Sequence, residues 1–274
     1  MTFAVMPALR LGTILSLAAV ALVSPALAGP AEDFIAGQTK DCPGCNLADK
    51  NFAGRDLSKA NLSKADLTNS NLTGANLLAA DLTGATLDQA DFTQAKAAGL
   101  KLGGASLNAT TFYLANLSQA DFSGASGQNV SFTRTNLTRA RFDNADLFYT
   151  QFGDAVLGGA SFVNTQLSGS KLQQAVLSRV DMTGVILEGA DLTRANLRNA
   201  ILKGGLLDGS DFSGADFSDA DLSGADFSNS RLLSAALLNA NLENTVFGGT
   251  IMPDGSVHPV TPAPATAAGT SDAK

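Results

Sequence analysis

The side chains of this chain best suited to chemistry are carboxylates, which recur at a regular spacing between residues 211 and 227. This segment reads DFSGADFSDADLSGADF, and no Lys or Arg interrupts it. Four of its acids are five residues apart: Asp211, Asp216, Asp221 and Asp226. Such a run suits a calcium site, an acidic surface that imitates nucleic acid, or an architectural role in which short polar side chains bond the nearby backbone.

Few residues could support thiol or imidazole chemistry, because the chain contains only two cysteines and one histidine. Cys42 and Cys45 form a CPGC motif, but no second pair or nearby histidine completes a zinc site. We interpret them as a structural disulfide, as is common in exported proteins, in preference to a redox-active dithiol. His258 follows Pro253 and has no partners for a nucleophilic triad. We therefore predict no metal, no cofactor and no enzymatic activity.

The N-terminal segment differs from the rest of the chain. Residues 1–28 carry a single charge and contain an apolar run over 11–24, which is typical of a signal peptide. The run is short for a membrane span, and an uncleaved anchor is the alternative interpretation. Small residues at Ala26 and Ala28 precede the expected cut. We predict a mature N-terminus at Gly29 and a periplasmic or secreted protein that has no membrane association after cleavage.

A repeat of five residues occupies the chain from Leu47 to Met252. Of the 42 positions whose numbers end in 2 or 7, forty carry Leu, Phe or Met, and a small residue, mostly Ala, lies two positions earlier. A period of five fits neither a helix nor a simple strand alternation. Residues two apart share one side of an extended segment, so these two positions are predicted to point inward and the other three to face water.

Phenylalanine indicates the length of one coil. Two series recur every 20 residues: Phe92, Phe112, Phe132 and Phe152, and, offset by ten, Phe122, Phe142 and Phe162. Four units of five residues then make one coil, so we predict an all-β, four-sided β-helix of about ten coils stacked about 4.8 Å apart. Phe132 should be buried between Phe112 and Phe152.

Proline and the exceptions to the repeat support this architecture. No proline lies between Cys45 and Met252, as expected if each coil donates backbone N–H groups to its neighbour. Ala97 and Gly127 leave central positions small, and in each case the residue three positions later, Leu100 or Val130, is larger than usual. The domain boundaries follow: a cap over 29–44 that contains the CPGC motif, the repeat over 45–252, and a disordered Pro/Ala/Thr-rich tail over 253–274.

Units such as ANLSK, ADLTN and ADFSG, in tandem over about 208 residues, resemble the pentapeptide repeat family. The resemblance implies a right-handed quadrilateral β-helix and no particular activity. The family includes cytoplasmic proteins that imitate DNA and protect DNA gyrase from inhibitors. For this chain the main prediction is a non-enzymatic, exported scaffold with a structural or protein-binding role. The alternative is an acidic rod that mimics DNA and binds a DNA-handling enzyme such as gyrase.

The four-sided coil predicts where the acids of the run point. Its four carboxylates fall on four different walls and do not converge, which argues against calcium and favours the architectural role. A net charge of −7 also argues against direct binding to nucleic acid. That charge is about a quarter of the charge on a duplex of the same length, which weakens the DNA-mimic alternative.

Outward residues 20 positions apart should stack, which gives two further predictions. Charges should pair by sign, as in the series Asp81, Lys101, Asp121 and Arg141, and as in Arg134 with Asp154. Outward apolar residues should mark a contact surface, and four of them fall on one wall: Phe148, Tyr149, Ile186 and Leu206. We predict that this wall binds a protein partner or a second copy of the chain.

Overall fold

A computed structural model describes residues 29–259 of the chain. The predicted signal peptide, residues 1–28, and most of the predicted tail lie outside these residues. Within them, no helix is both long enough and apolar enough to cross a membrane.

Parallel bridges join each coil of the rod to the next. Asn46 bridges Asp66, and the same 20-residue register continues along the chain until Arg231 bridges Ile251. Bridges occur at every fifth residue, so each coil has four sides, as the phenylalanine spacing predicts. Only β1 (Ser126–Gln128) and β2 (Asp146–Phe148), which pair in parallel, are long enough to count as strands within residues 29–259.

A tight turn follows each central residue and produces the corner of the coil. In one such unit the N–H of Ala60 donates to the carbonyl of Leu57 at 3.1 Å, and Lys59 has a φ of 58°. This left-handed conformation favours Gly and Asn, which explains the many glycines at this position of the repeat. Leu114 and Arg134 adopt the same conformation, so the ladder of bridges overrides the local preference there.

The large and small positions of the repeat fill the core, as predicted. Phe132 is fully buried, and its ring stacks at 5.0 Å on both Phe112 and Phe152. The two phenylalanine series also touch, since the ring of Phe122 meets that of Phe132 edge to face at 5.3 Å. Aromatic rings from opposite walls therefore interlock along the middle of the rod.

The exceptions to the repeat are compensated in the way that the sequence predicts. A Cβ atom added to Gly127 would lie 3.0 Å from the Cγ2 of Val130, so Val130 fills the space that a central side chain normally occupies. Ala97 and Leu100 are both fully buried, which is consistent with the same exchange of volume.

A short helix closes the N-terminal end of the rod. Helix α1 (Pro30–Ile35) buries Phe34, whose ring meets Phe52 edge to face at 5.5 Å. The guanidinium of Arg55 lies 4.7 Å from the centre of the Phe34 ring and donates to the Phe34 carbonyl. The sequence predicts a cap here but not its helix.

The cap is joined to the first coil through the CPGC motif. Cys42 and Cys45 form a disulfide, in agreement with the prediction; Cys42 is buried and Cys45 is half-buried. The N–H of Cys42 donates to the carbonyl of Asn61 at 2.8 Å, so the hydrogen-bond ladder already includes this residue.

The C-terminal end is closed less completely. Leu237 and Phe247 are only half-buried, and 38% of Leu242 is exposed. The chain then folds back, and Val257 forms an antiparallel bridge with Ile251. Ordered structure thus continues a few residues beyond Met252.

Candidate interaction surface

The carboxylates of the acidic run bond the backbone of their own turns. The N–H of Ser213 donates to Asp211 Oδ1 at 2.8 Å, and the N–H of Ser218 donates to Asp216 Oδ1 at 2.9 Å. Asp221 and Asp226 accept the equivalent bonds from the residues two positions later. This geometry is that of an Asx turn and supports the architectural interpretation of the run.

Hydrogen bonds within these turns lower the pKa values of two acids of the run, Asp216 and Asp221. The bond from the Ser218 hydroxyl lowers the pKa of Asp216, with smaller help from the Ser218 N–H and from Arg198. The bond from the Ser223 side chain likewise lowers the pKa of Asp221. Both carboxylates therefore contribute negative charge to the surface at neutral pH.

No concentration of ligating side chains accompanies this charge. Across residues 29–259, no three His, Cys, Asp or Glu side chains lie close enough together to hold a metal ion. Asp211 bridges Arg231, whereas Asp216 bridges Ala236, so neighbouring acids of the run belong to different walls. One depression between coils has a volume of about 290 Å³. Its lining residues are Thr138, Arg139, Gly158, Gly159, Ser178 and Arg179.

Charge is divided unequally among the four walls. We define the acidic wall as the outward residues of 46–49 and of the equivalent segments at 20-residue steps, up to 246–249. It carries no Lys or Arg. Its seven carboxylates are Asp49, Asp66, Asp88, Asp146, Glu188, Asp208 and Asp226.

The opposite wall has the opposite sign. We define the cationic wall as the outward residues of 56–59 and of the segments at 20-residue steps, up to 236–239, half a coil from the acidic wall. Its five cations are Lys59, Lys96, Arg139, Arg179 and Arg198, and its three carboxylates are Asp56, Asp216 and Asp219. No acid lies on this wall between Lys96 and Arg198.

All four apolar residues singled out from the sequence lie on the acidic wall. Ile186 and Leu206 are bridge partners, and 43% of Leu206 is exposed. Tyr149 is 57% exposed, and its ring lies over Gly169, where an added Cβ would meet it at 2.5 Å. Phe148 is half-buried beside it. The structure thus places the aromatic pair and the aliphatic pair on the same face of the rod.

Glycines keep this apolar surface open. Gly189 and Gly209 follow Gly169 at the same corner of successive coils, and a Cβ added at either of them would meet nothing within 4 Å. No side chain at these corners covers Ile186 or Leu206, which lie three residues earlier. The aromatic pair and the aliphatic pair therefore lie along the same edge of the acidic wall, separated by one coil, with Gln166 on the ladder between Asp146 and Ile186.

A second apolar pair, which was not predicted from the sequence, lies on the cationic wall. Val156 bridges Val176 on the cationic wall, and 43% and 36% of these side chains are exposed. The signal was present in the sequence, because both valines occupy the outward position where Asp or Asn is usual. Among the parallel bridges between residues 46 and 251, only this pair and Ile186–Leu206 join two outward apolar side chains.

The predicted charge ladder is present in its register, but in this series only Asp81 and Lys101 form an ion pair within residues 29–259. Asp81, Lys101, Asp121 and Arg141 are successive bridge partners, and Lys101 pairs with Asp81 at 3.8 Å. Arg141 forms its ion pair with Asp143 at 3.2 Å instead of with Asp121. Arg134 and Asp154 pair at 3.6 Å, as predicted. These pairs are exposed, so each is worth at most about 1 kcal/mol.

The repeat identifies the family. The model of the pentapeptide repeats matches eight copies between residues 43 and 249, which is most of the chain. The chain therefore belongs to the pentapeptide repeat family, as its sequence resemblance predicts. This membership implies the right-handed β-helix of the family. A search of the curated proteins finds no match.

Solved pentapeptide repeat structures are similar to this one along much of its length. HetL, a protein involved in heterocyst differentiation regulation in the cyanobacterium Nostoc, is 29% identical, with 80% of this chain and 91% of HetL covered at a TM-score of 0.30. Full-length QnrB1, a plasmid-mediated fluoroquinolone resistance protein, is 17% identical, with 72% and 90% covered at a TM-score of 0.35. Rfr23 from the cyanobacterium Cyanothece is 32% identical over 36% of this chain and 62% of its own, at a TM-score of 0.27. These overlaps are modest, so the family assignment rests on the repeat match.

Proposed function

We propose that the mature chain is an exported, non-enzymatic scaffold, a rod of about ten coils that binds protein through its acidic wall. The observation that carries this proposal is the apolar surface formed there by Phe148, Tyr149, Ile186 and Leu206. Tyr149 is 57% exposed and Leu206 43%, on a wall whose outward residues are mostly polar. Apolar residues gathered on one face in this way mark interaction sites on soluble proteins.

The composition of the wall suits a protein interface. In many protein–protein interfaces, buried aromatic residues at the centre contribute most of the binding energy, and polar groups surround them. All the charged groups of the rim are carboxylates, since the acidic wall has no Lys or Arg. A partner with cations around an apolar centre would be attracted and oriented by this charge.

The interaction can be tested with a pair of substitutions outside the core. Ile186→Asp with Leu206→Asp should leave the thermal melt unchanged, since Asp is common at this position of the repeat. Cross-linked partners recovered from the periplasmic fraction should be lost. Ile201→Asp is the matched control, because Ile201 is an outward residue of another wall, 40% exposed, and flanked by acids on its ladder. An interaction profile unaffected by the double change, with an intact fold, would refute the proposed surface.

Export has its own test. We expect N-terminal sequencing of the native protein to begin at Gly29, because residues 26–28 provide the small residues of a cleavage site. A soluble cytoplasmic protein that begins at Met1 would contradict export.

The DNA-mimic function is the second candidate, and the charge of the acidic wall is the observation in its favour. Seven carboxylates between Asp49 and Asp226 give one charge per about 7 Å of rod, against one per about 3.4 Å along a DNA strand. This density is about half that of one strand. A cytoplasmic location, together with inhibition of a DNA-handling enzyme that is lost when these acids are changed to Asn, would favour this function over the exported scaffold.

A further inference from the structure

Two apolar pairs, each joining two successive coils, occupy opposite sides of the rod. Ile186 and Leu206 form one bridge on the acidic wall, and Val156 and Val176 form the other on the cationic wall. Both pairs take the outward position where Asp or Asn usually caps the turn. Since each pair spans one coil step, each exposes two aliphatic side chains about 4.8 Å apart along the axis.

The charges beside the two pairs are of opposite sign. Glu188 and Asp208 follow the residues of the Ile186–Leu206 pair by two positions. Arg179 follows Val176 by three positions, and the stem of Arg139 lies over Gly159, with its Cγ 3.8 Å from where a Cβ on that glycine would be. Neither arginine forms an ion pair within residues 29–259. An apolar centre rimmed by carboxylates on one wall is thus matched by an apolar centre rimmed by guanidiniums on the other.

We propose that the partner of the acidic wall is the cationic wall of a second copy of this chain. The proposal rests on the proposed function, in which the acidic wall binds protein, and it adds the identity of the occupant. Ile186 and Leu206 of one copy pack on Val156 and Val176 of the next, while Glu188 and Asp208 face Arg139 and Arg179. Burial of the aliphatic side chains supplies the attraction, and the surrounding charges supply register and speed of association.

The contact is heterologous, because it uses two different walls of the same molecule. A molecule that binds a neighbour through its acidic wall still presents its cationic wall to another molecule. Such contacts build open assemblies unless a rotation closes them. The rods would therefore associate side by side into rows, and the size of the assembly would grow with protein concentration.

The test is sedimentation velocity of the native mature protein over a wide range of concentration at low and at high salt. We expect the weight-average sedimentation coefficient to rise with concentration at low salt and to fall towards the monomer value at high salt, since the rim charges are screened. Ile186→Asp with Leu206→Asp should abolish the rise. Val156→Asn with Val176→Asn should abolish it equally, and Asn is compatible with the fold because Asn136 and Asn196 flank these valines on the same ladder. Ile201→Asp should have no effect.

Mixing the two assembly-deficient variants gives the sharpest result. Each variant retains one intact wall, and these two walls are complementary, so the mixture should form a 1:1 complex that does not grow further. Association that survives either double change would overturn the proposal, because the contact would then lie elsewhere, for example at the ends of the rod. A native protein that stays monomeric at every concentration would also overturn it. If such a monomer still loses a different, cross-linked protein on Ile186→Asp with Leu206→Asp, the self-contact fails while the proposed function stands.

Discussion

Leu222 and Leu242 occupy the same column of the rod, one coil apart, yet Leu222 is fully buried and 38% of Leu242 is exposed. The two residues have the same type and the same place in the repeat. They differ in their neighbours, because Leu222 has a coil on each side and Leu242 belongs to the last complete coil. In this solenoid, burial therefore depends on the coil stacked above as much as on the residue itself.

The two ends of the rod differ in how the core of the terminal coil is covered. At the N-terminal end, α1 places Phe34 against Phe52, and the guanidinium of Arg55 lies 4.7 Å from the centre of the Phe34 ring. At the C-terminal end, the chain folds back so that the ring centres of His258 and Phe247 are 6.0 Å apart. Leu242 remains partly exposed there. A helix covers the end of the core more completely than a single turn of irregular chain does.

The largest expected effect lies in the middle of the rod. Phe132→Ala should lower the free energy of unfolding by about 3–5 kcal/mol, because the ring is enclosed by other coils on both sides. It stacks on Phe112 and Phe152 and meets Phe122 and Phe142 edge to face. Thermal and denaturant unfolding measure this loss. A melt equal to that of the unaltered protein would contradict the packing of the two phenylalanine series.

The matched leucines test the comparison directly. Leu222→Ala should cost about 2–5 kcal/mol, as expected for a leucine whose removal leaves a cavity. Leu242→Ala should cost less than about 1 kcal/mol, since part of this side chain is already in water and the site is open to solvent. Denaturant unfolding of the two variants side by side gives the difference. Equal losses would show that the C-terminal coil is covered in solution.

A smaller effect is expected from the turn-capping carboxylates. Hydrogen bonds from Ser218 and Ser223 lower the pKa values of Asp216 and Asp221 in the folded protein. Their ionised forms therefore stabilise the fold above the unfolded pKa of about 3.9, and this contribution is lost as the pH falls through the folded pKa values. Asp216→Asn with Asp221→Asn keeps the acceptor oxygens but removes the titration.

Thermal melts from about pH 7 down to about pH 3 test this point. The unaltered protein should lose more stability on acidification than the double variant does. Asp254→Asn is the control, because Asp254 lies just beyond the repeat. The Ser256 hydroxyl lowers the pKa of Asp254 in the same way. Identical acid profiles for the double variant and the unaltered protein would show that these caps do not contribute through their charge.

The period of the rod and the direction of its side chains could be predicted from the sequence. A large residue every five positions and phenylalanine every 20 predict which residues are buried, because the backbone geometry of each unit is the same and the hydrophobic effect acts on every unit alike. The compensation of Gly127 by Val130 could be predicted for the same reason. Residues 20 apart could also be assigned to common walls, which placed Phe148, Tyr149, Ile186 and Leu206 on one face.

The structures at the two ends of the repeat and the choice of partners among outward side chains depend on packing in three dimensions. The sequence does not show that α1 buries Phe34 under Arg55, because six residues of helix are stable only through packing on the first coil. It also does not show that Arg141 turns to Asp143 instead of Asp121, since long exposed side chains choose among partners that differ little in energy. The exposure of Leu242 likewise depends on its surroundings, because within residues 29–259 no further coil stacks on it, although its type and its place in the repeat match those of Leu222.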